Sequence, residues 1–423
     1  MWSVTGLRLK ANGGSGMRTP LSGDAKKPPA SGVHKKMTTR TALNCFMRAA
    51  IAGAGIAALP AHAVTVGTTD VTFGGYIKLD AMVTQTDGGQ IATGIGREFY
   101  VPGLTPAGVS DESANVDMHA RQTRLFTKTS TTLDNGKTIK GYVEIDFMST
   151  AGGDERITNG YSPELRHAVM TYENWTLGQT WSTYMDTAVL PDSLDFIGNT
   201  DGAVFVRQGL IRYSTGAFQF AVENPQTTVT PFAGGTRITT DDNGVPDLVA
   251  RFNHSAAWGS LTLAALAREL AYEAGTINDS ALGYGVGVSA KINLSGKDDL
   301  RLSVNHGEGL GRYVALNASN DAVVSASGDL EAIGVTALAA ACKHHWSEKW
   351  RSSLILSQLT VDNDVALTGT AVTKQVESVA VNLINQVADK FLVGVELRHA
   401  NHALESGRDG DFNRLQFSAK YDF

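Results

Sequence analysis

Cysteine is nearly absent from this 423-residue chain, which holds only Cys45 and Cys342. Cys45 lies in a leader-like segment, so Cys342 stands alone beyond it and no intramolecular disulfide can form there. Proline is sparse, at 11 residues. No stretch after residue 63 reaches the roughly 18 uninterrupted apolar residues that a spanning helix needs. Positive charge is short as well. Taking the nine Lys/Arg and one Asp/Glu of residues 1–63 from totals of 36 and 42 leaves 27 basic against 41 acidic side chains, a formal charge of −14. A chain this acidic argues against nucleic acid as a partner. No Gly-x-Ser-x-Gly nucleophile motif is present, and no Ser, His and Asp set stands out, so no catalytic residue and no cofactor is assigned. Stability must come from burial or backbone pairing.

The front of the chain reads as targeting sequence. Residues 1–36 are rich in Gly, Pro, Lys and Ser with no apolar period, as in a disordered leader or an upstream start codon read into the protein. Residues 37–63 follow the pattern of a secretory signal: Arg40 and Arg48, an apolar run from Ala49 to Leu59, then Pro60-Ala61-His62-Ala63, with cleavage expected after Ala63. Residues 64–423 form the mature domain.

That domain reads as strand after strand. Thr138 to Phe147 sets Ile139, Gly141, Val143, Ile145 and Phe147 against Lys140, Tyr142, Glu144 and Asp146. Such alternation places the two sets on opposite faces of an extended strand. Tyr76 to Val83 repeats the pattern, as do segments carrying Phe218-Phe220-Val222, Leu261-Leu263-Ala265, Tyr284-Val286-Val288-Ala290, Leu354-Leu356, Val379-Val381-Leu383 and Phe391-Val393-Val395-Leu397. The opposite faces carry Gln219, Thr262, Ser289, Lys291, Asn382, Glu396 and Arg398. The final stretch alternates Leu415, Phe417, Ala419, Tyr421 and Phe423 with Gln416, Ser418, Lys420 and Asp422.

The connections come in two kinds. Asn135-Gly136 suits a tight hairpin, because Asn-Gly readily adopts positive φ. Similar short links fall at 173–175, 214–216, 257–259, 295–299, 347–349 and 387–390. Long links alternate with them at 88–116, 150–163, 185–204, 225–245, 272–280, 310–328, 361–374 and 400–411. About 16 strands result, with seven short turns and eight long loops. An even strand count with segregated long loops predicts an all-β, 16-stranded antiparallel transmembrane barrel, with short periplasmic turns and long extracellular loops, in a bacterial outer membrane. Soluble sandwiches have no reason to alternate loop lengths in this way. Closure leaves no strand edge unpaired in lipid, and the last strand is expected to close against Tyr76 to Val83. Sixteen strands leave room for an aqueous channel. The alternatives are a plugged surface or adhesive barrel and a barrel enzyme.

Within this pattern the chain resembles the bacterial porins, and among them the DcaP-type porin family. The resemblance rests on Phe73-Gly74-Gly75-Tyr76-Ile77-Lys78-Leu79-Asp80, Arg121-Gln122-Thr123-Arg124-Leu125, Lys140 to Phe147, Leu165-Arg166-His167-Ala168, Leu177 to Ser182, Pro246 to Arg251 and the terminal Phe423. It implies a homotrimeric channel in contact with lipid and lipopolysaccharide, and a preference for small anionic solutes such as dicarboxylates and aromatic acids. A general non-selective porin is the alternative. The resemblance also implies hand-over to the outer-membrane assembly machinery through the strand ending in Phe423. Some family members carry an N-terminal helical extension; here only about a dozen residues separate Ala63 from the first strand.

Candidate pore residues follow from parity and residue type. In porins the third long loop folds inward, and here it holds Asp186, Asp192, Asp195 and Asp201. Opposite it, wall cations would create a transverse field. The candidates are Lys78, Arg121, Arg124, Lys140, Arg166, Arg212 and Arg251, with Lys128, Arg207 and Arg268 behind them. Arginine suits carboxylates because its planar fork engages both oxygens. The same residues would equally serve as plain wet wall lining. Arg207 and Arg212 differ in parity, so they cannot both face inward on one straight strand, and Arg207 is assigned to the loop end.

Three further patterns carry less. Asp241-Asp242-Asn243-Gly244 with Asp247 misses the EF-hand spacing and reads as an exposed loop. His344-His345 sits beside Trp346 and Trp350, as in an interfacial aromatic girdle, and no metal site is assigned to it or to His399 and His402. Gly283-Gly285-Gly287 lies inside an alternating strand with no following helix, so it lacks a phosphate cradle.

Overall fold

The structure is a computed structural model that describes residues 63–149 and 156–423. The leader and signal expected over residues 1–63 lie outside the described residues as far as residue 62, as does part of the loop at 150–163.

Sixteen strands close into one barrel. They are β1 Thr69–Thr86; β2, in two segments Asn115–His119 and Arg124–Thr132; β3 Thr138–Asp146; β4 Glu164–Tyr172; β5 Trp175–Trp181; β6 Arg207–Thr215; β7 Phe218–Glu223; β8 Asp247–Ala256; β9 Gly259–Ala274; β10 Ile277–Asn293; β11 Asp299–Glu308; β12 Gly334–His345; β13 Trp350–Asp362; β14 Thr373–Ala388; β15 Phe391–Leu404; and β16 Asp409–Asp422. Each pairs antiparallel with its sequence neighbours. β1 also pairs with β16, from Tyr76 opposite Asp422 to Thr86 opposite Phe412, which seals the sheet. A short strand, Ala63–Val66, adds to the base of β1.

Burial runs opposite to that of a soluble protein. Val286, Val288, Leu356, Val381 and Leu397 are exposed, whereas Thr262, Arg268, Ser357, Asn382 and Arg398 are buried. Apolar side chains on the outer face meet lipid, and polar ones turn inward. Strand length varies around the wall. β5 and β7 have 7 and 6 residues, while β9, β10 and β14 have 16, 17 and 16. About 9–11 residues suffice to span, so the long strands project beyond the membrane.

That projection corrects the loop boundaries. The links expected at 272–280 and 400–411 are tight ends of extended hairpins: β9 reaches Ala274 and β10 begins at Ile277, while β15 reaches Leu404 and β16 begins at Asp409. Above the membrane both faces are wet, so the apolar alternation that marks a strand fades although the ladder continues. The loops 224–246 and 309–333 instead contribute a small four-stranded sheet of Thr227–Thr230, Ile238–Thr240, Ala322–Val324 and Leu330–Ala332.

The lumen is drier than parity predicted. Tyr184, Val204 and Val206 from the third loop pack with Leu310, Tyr313 and Val314 from the 309–333 loop. Inward residues Leu266, Val335, Leu359 and Val376 complete this apolar cluster. Gly285 and Gly287 make room for it. A Cβ on Gly285 would fall 2.8 Å from Leu310 Cδ1 and 3.1 Å from Tyr184 Oη. The glycine row is the floor on which two loops enter the barrel.

Candidate functional site

The constriction is built by the loop of residues 182–206 between β5 and β6. Its course is set by wall cations that grasp it in turn. Arg212 donates to Thr183 Oγ1 and to Trp181 O, both at 2.7 Å. Arg251 donates to Met185 O and pairs with Asp186 at 3.1 Å. Arg301 donates to Leu190 O, and Arg351 pairs with Asp192. Lys78 donates to Leu194 O at 2.5 Å, and Arg398 to Gly198 O at 2.6 Å. Glu396 accepts from Leu194 N at 2.8 Å and from Ser193 Oγ. Loop carbonyls drawn inside a barrel need donors, and arginine supplies several from one planar group.

The loop acids are therefore tied down. Asp186 caps the short turn Thr187–Val189 through Ala188 N and accepts from Ser289 Oγ. Asp195 accepts from Tyr100 N at 3.0 Å and from its own loop amides. Asp201 is fully buried; it accepts from Tyr100 Oη at 2.6 Å, Ser357 Oγ at 2.7 Å and Ser378 Oγ. Asp186 and Asp192 pair directly with Arg251 and Arg351 of the wall.

A second group sits on β2 to β6. Arg166 is the extra residue of a β-bulge, since Glu144 lies opposite His167 and Ile145 opposite Leu165. The bulge turns both Arg166 and His167 into the lumen, which simple alternation forbids. Arg166 Nε meets Glu144 at 2.8 Å and its NH1 meets Asp146 at 2.5 Å. Its guanidinium lies 5.3 Å from the Phe196 ring of the loop and 5.8 Å from Trp181. Arg124 shares the same two acids at 3.5 and 3.6 Å and stays partly exposed. Arg207, the first residue of β6, pairs with Glu164 at 3.1 Å and covers Trp181 at 5.1 Å. Arg121 is buried beside Glu98, donates to Phe147 O at 2.7 Å and lies over Tyr161.

The sequence-derived candidates thus fall into different settings. Lys78, Arg212 and Arg251 hold the loop. Arg124 and Arg166 belong to ion pairs on β2 to β4, and Arg121, between the two β2 segments, pairs with Glu98 of the first long loop. Lys128 and Lys140 are exposed toward the short-turn end, where Lys128 lies 4.7 Å from the Phe126 ring. Arg268 is fully buried between Asp321 at 2.9 Å and Asp247 at 3.4 Å, and clamps the 309–333 loop. Arg301, Lys343 and Arg351 were not among the candidates. The alternation of Leu300, Leu302 and Val304 with Arg301, Ser303 and Asn305 carried the signal for the first. His399 faces outward beside Asn413, and His402 faces inward to Thr105 O, so they share no site. Among the described residues no group of three or more His, Cys, Asp or Glu is arranged to hold a metal.

A closed 16-stranded barrel with an outward apolar band and an inward constriction loop defines an outer-membrane channel of the porin class. The chain belongs to the DcaP outer membrane protein family, which matches over residues 58–423. Among solved structures it is similar to the outer membrane channel DcaP of Acinetobacter baumannii, at 20% identity and a TM-score of 0.71 over 86% of this chain and all of that one. It is also similar to an anion-selective porin from Comamonas acidovorans, at 11% identity and a TM-score of 0.51 over 84% of this chain and 100% of that one. OmpF of Salmonella typhi, in complex with daunomycin, matches at 11% identity and a TM-score of 0.52 over 86% of this chain and 100% of its own. No curated protein matches significantly.

Proposed function

We propose that this protein is a passive diffusion channel that prefers small anionic solutes, carboxylates among them. The observation that supports the reading is a set of lumen cations that keep exposed surface beside buried carboxylates, while Asp70, beside Lys128 and Lys140, and Asp192, at 27%, are acids that stay open. Asp80, Glu144, Asp146 and Asp299 are buried against cations. Lys128 and Lys140 are exposed, and Arg124, Lys291 and Lys420 keep 21%, 34% and 27% of their side-chain surface. Passage is decided by the potential that solutes meet locally, so exposed cations beside buried acids outweigh a negative net charge. The rings of Tyr76 and Tyr142 stand beside Arg124 and Lys128, and that of Trp181 beside Arg207; such rings suit flat apolar portions of a carboxylate. The reading includes a homotrimer in the outer membrane, lipid and lipopolysaccharide at the outward band, and assembly through the strand ending in Phe423.

The test is the reversal potential of single channels across a KCl gradient. Chloride preference is expected. Replacing Arg124, Lys128 and Lys140 together by Ala should lower the chloride-to-potassium permeability ratio by roughly twofold or more. A cation-preferring wild type, or an unchanged ratio in the triple variant, would overturn the assignment.

A further inference from the structure

We propose that the barrel carries an anion-binding cradle on its periplasmic side, formed by Lys291, Arg301, Lys343 and Arg351 around Asp299, for a small solute bearing two negative charges. This deepens the channel reading and relies on it only for access to the lumen.

The four cations lie on four successive strands, β10 to β13, at the short-turn end. Lys291 and Arg301 are direct cross-strand partners. Lys343 pairs with Asp299, two residues before Arg301, and Arg351 pairs with His345, two residues after Lys343. The result is a staircase of positive charge, because neighbouring strands are about 4.8 Å apart and diagonal neighbours about 7–8 Å. All four point inward. Arg301 and Arg351 reach the constriction loop at Leu190 and Asp192, and both lysines converge on the same inward carboxylate.

One carboxylate serves three cations here. Asp299 takes Arg301 on both oxygens, at 2.6 and 3.1 Å. The Lys343 ammonium approaches at 2.9 Å and that of Lys291 at 3.8 Å. Asp299 keeps 4% of its side-chain surface, whereas Lys291, Lys343, Arg351 and Arg301 keep 34%, 18%, 18% and 13%; the loop acid Asp192 keeps 27%. Arg351 uses Nε on Asp192, and its two terminal nitrogens have no partner among the described residues. Counting the loop acids that face this region, Asp186 and Asp192, and adding Arg251, five cations meet three acids. Lysine ammonium groups with unfilled donors beside an arginine fork are suited to two separated anionic groups.

The test uses the full-length protein in a planar bilayer carrying chloride current, with sulfate as the probe dianion added to each side in turn. Sulfate on the short-turn side is expected to block at lower concentration than sulfate on the loop side. Lys291→Gln with Lys343→Gln should raise the half-blocking concentration about tenfold. Asp299→Asn should lower it, because the cradle then loses its internal competitor. Neither lysine touches the constriction loop, so an unshifted heat-induced mobility change on gels reports an intact barrel in the double variant. Equal block from both sides, or a half-blocking concentration unmoved in the double variant, would overturn the cradle while leaving chloride preference standing. Were the wild type to prefer cations, the anion-preference reading would fail by itself. Calorimetric titration of sulfate into detergent-solubilised protein then decides the cradle, which requires weaker binding in the double variant.

Discussion

Asp201 has no exposed surface, and its carboxylate is held by one phenol and two serine hydroxyls. Burial pushes its carboxyl above the usual carboxylate range, against the opposing pull of those hydroxyls and of Arg398. A neutral acceptor of the same shape therefore suits the position. Asp201→Asn is expected to leave thermal stability within about 1 kcal/mol of wild type, whereas Asp201→Ala, which strands three buried hydroxyls, should cost about 1–3 kcal/mol. Heat-induced mobility shifts on gels compare the two; equal losses would show that charge, and not the acceptor, holds the loop. In the sequence Asp201 was one of four loop acids expected to shape a field. Its partners Tyr100, Ser357 and Ser378 lie on another loop and on distant strands, a pairing that no local pattern encodes.

At the scale of elements, the 182–206 loop depends on places where backbone meets backbone. Gly202 is such a place. A Cβ there would stand 1.9 Å from Leu338 O and 2.4 Å from Leu338 C on β12. Those atoms belong to a paired ladder and cannot swing aside. Gly202→Val should lift the 199–203 segment off β13 and β14, where Asp201 is bound, and produce larger and noisier single-channel currents. Currents as quiet as those of wild type would mean that the loop is held from its other end, by Arg251, Arg301 and Arg351. The strands were legible because their lipid faces repeat at period two. The wall contacts of the loop were not, since a glycine that permits close approach looks the same in sequence as one that permits a turn. The bulge at Arg166 escaped for a related reason: one inserted residue shifts parity, and a single sequence does not mark where.

For the whole molecule, strand count and free lumen are separate quantities. Sixteen strands enclose a wide interior, yet the loops 182–206 and 309–333 fill much of it with an apolar cluster built on β7 to β14. Sequence parity predicted the enclosure and its closure by β1 against β16. It did not predict the filling, because inward Val335, Leu359 and Val376 read as neutral wall positions until Val314 and Leu310 are brought against them. The filling loop is held by charge. Arg268 lies between Asp247 and Asp321, Arg312 reaches Asp247 at 3.1 Å, and Tyr313 Oη donates to the same carboxylate at 2.7 Å. At its tip Ala315, Leu316 and Asn317 all have positive φ, at 49°, 52° and 60°, which costs side-chain-bearing residues roughly 1–2 kcal/mol each. Packing against the third loop sustains that turn, through Ala315 N to Ala203 O and Phe205 N to Tyr313 O. Replacing residues 312–318 by a short Gly-Ser link should therefore open the packed half. Single-channel conductance is expected to rise about twofold or more, given the width that 16 strands allow. Chloride preference should persist, because Arg124, Lys128, Lys140 and Lys291 lie on strands the replacement does not touch. Unchanged conductance would place the narrowest passage on the β2 to β6 side, between Arg166 and Phe196, and make the 309–333 loop a support instead of a restriction.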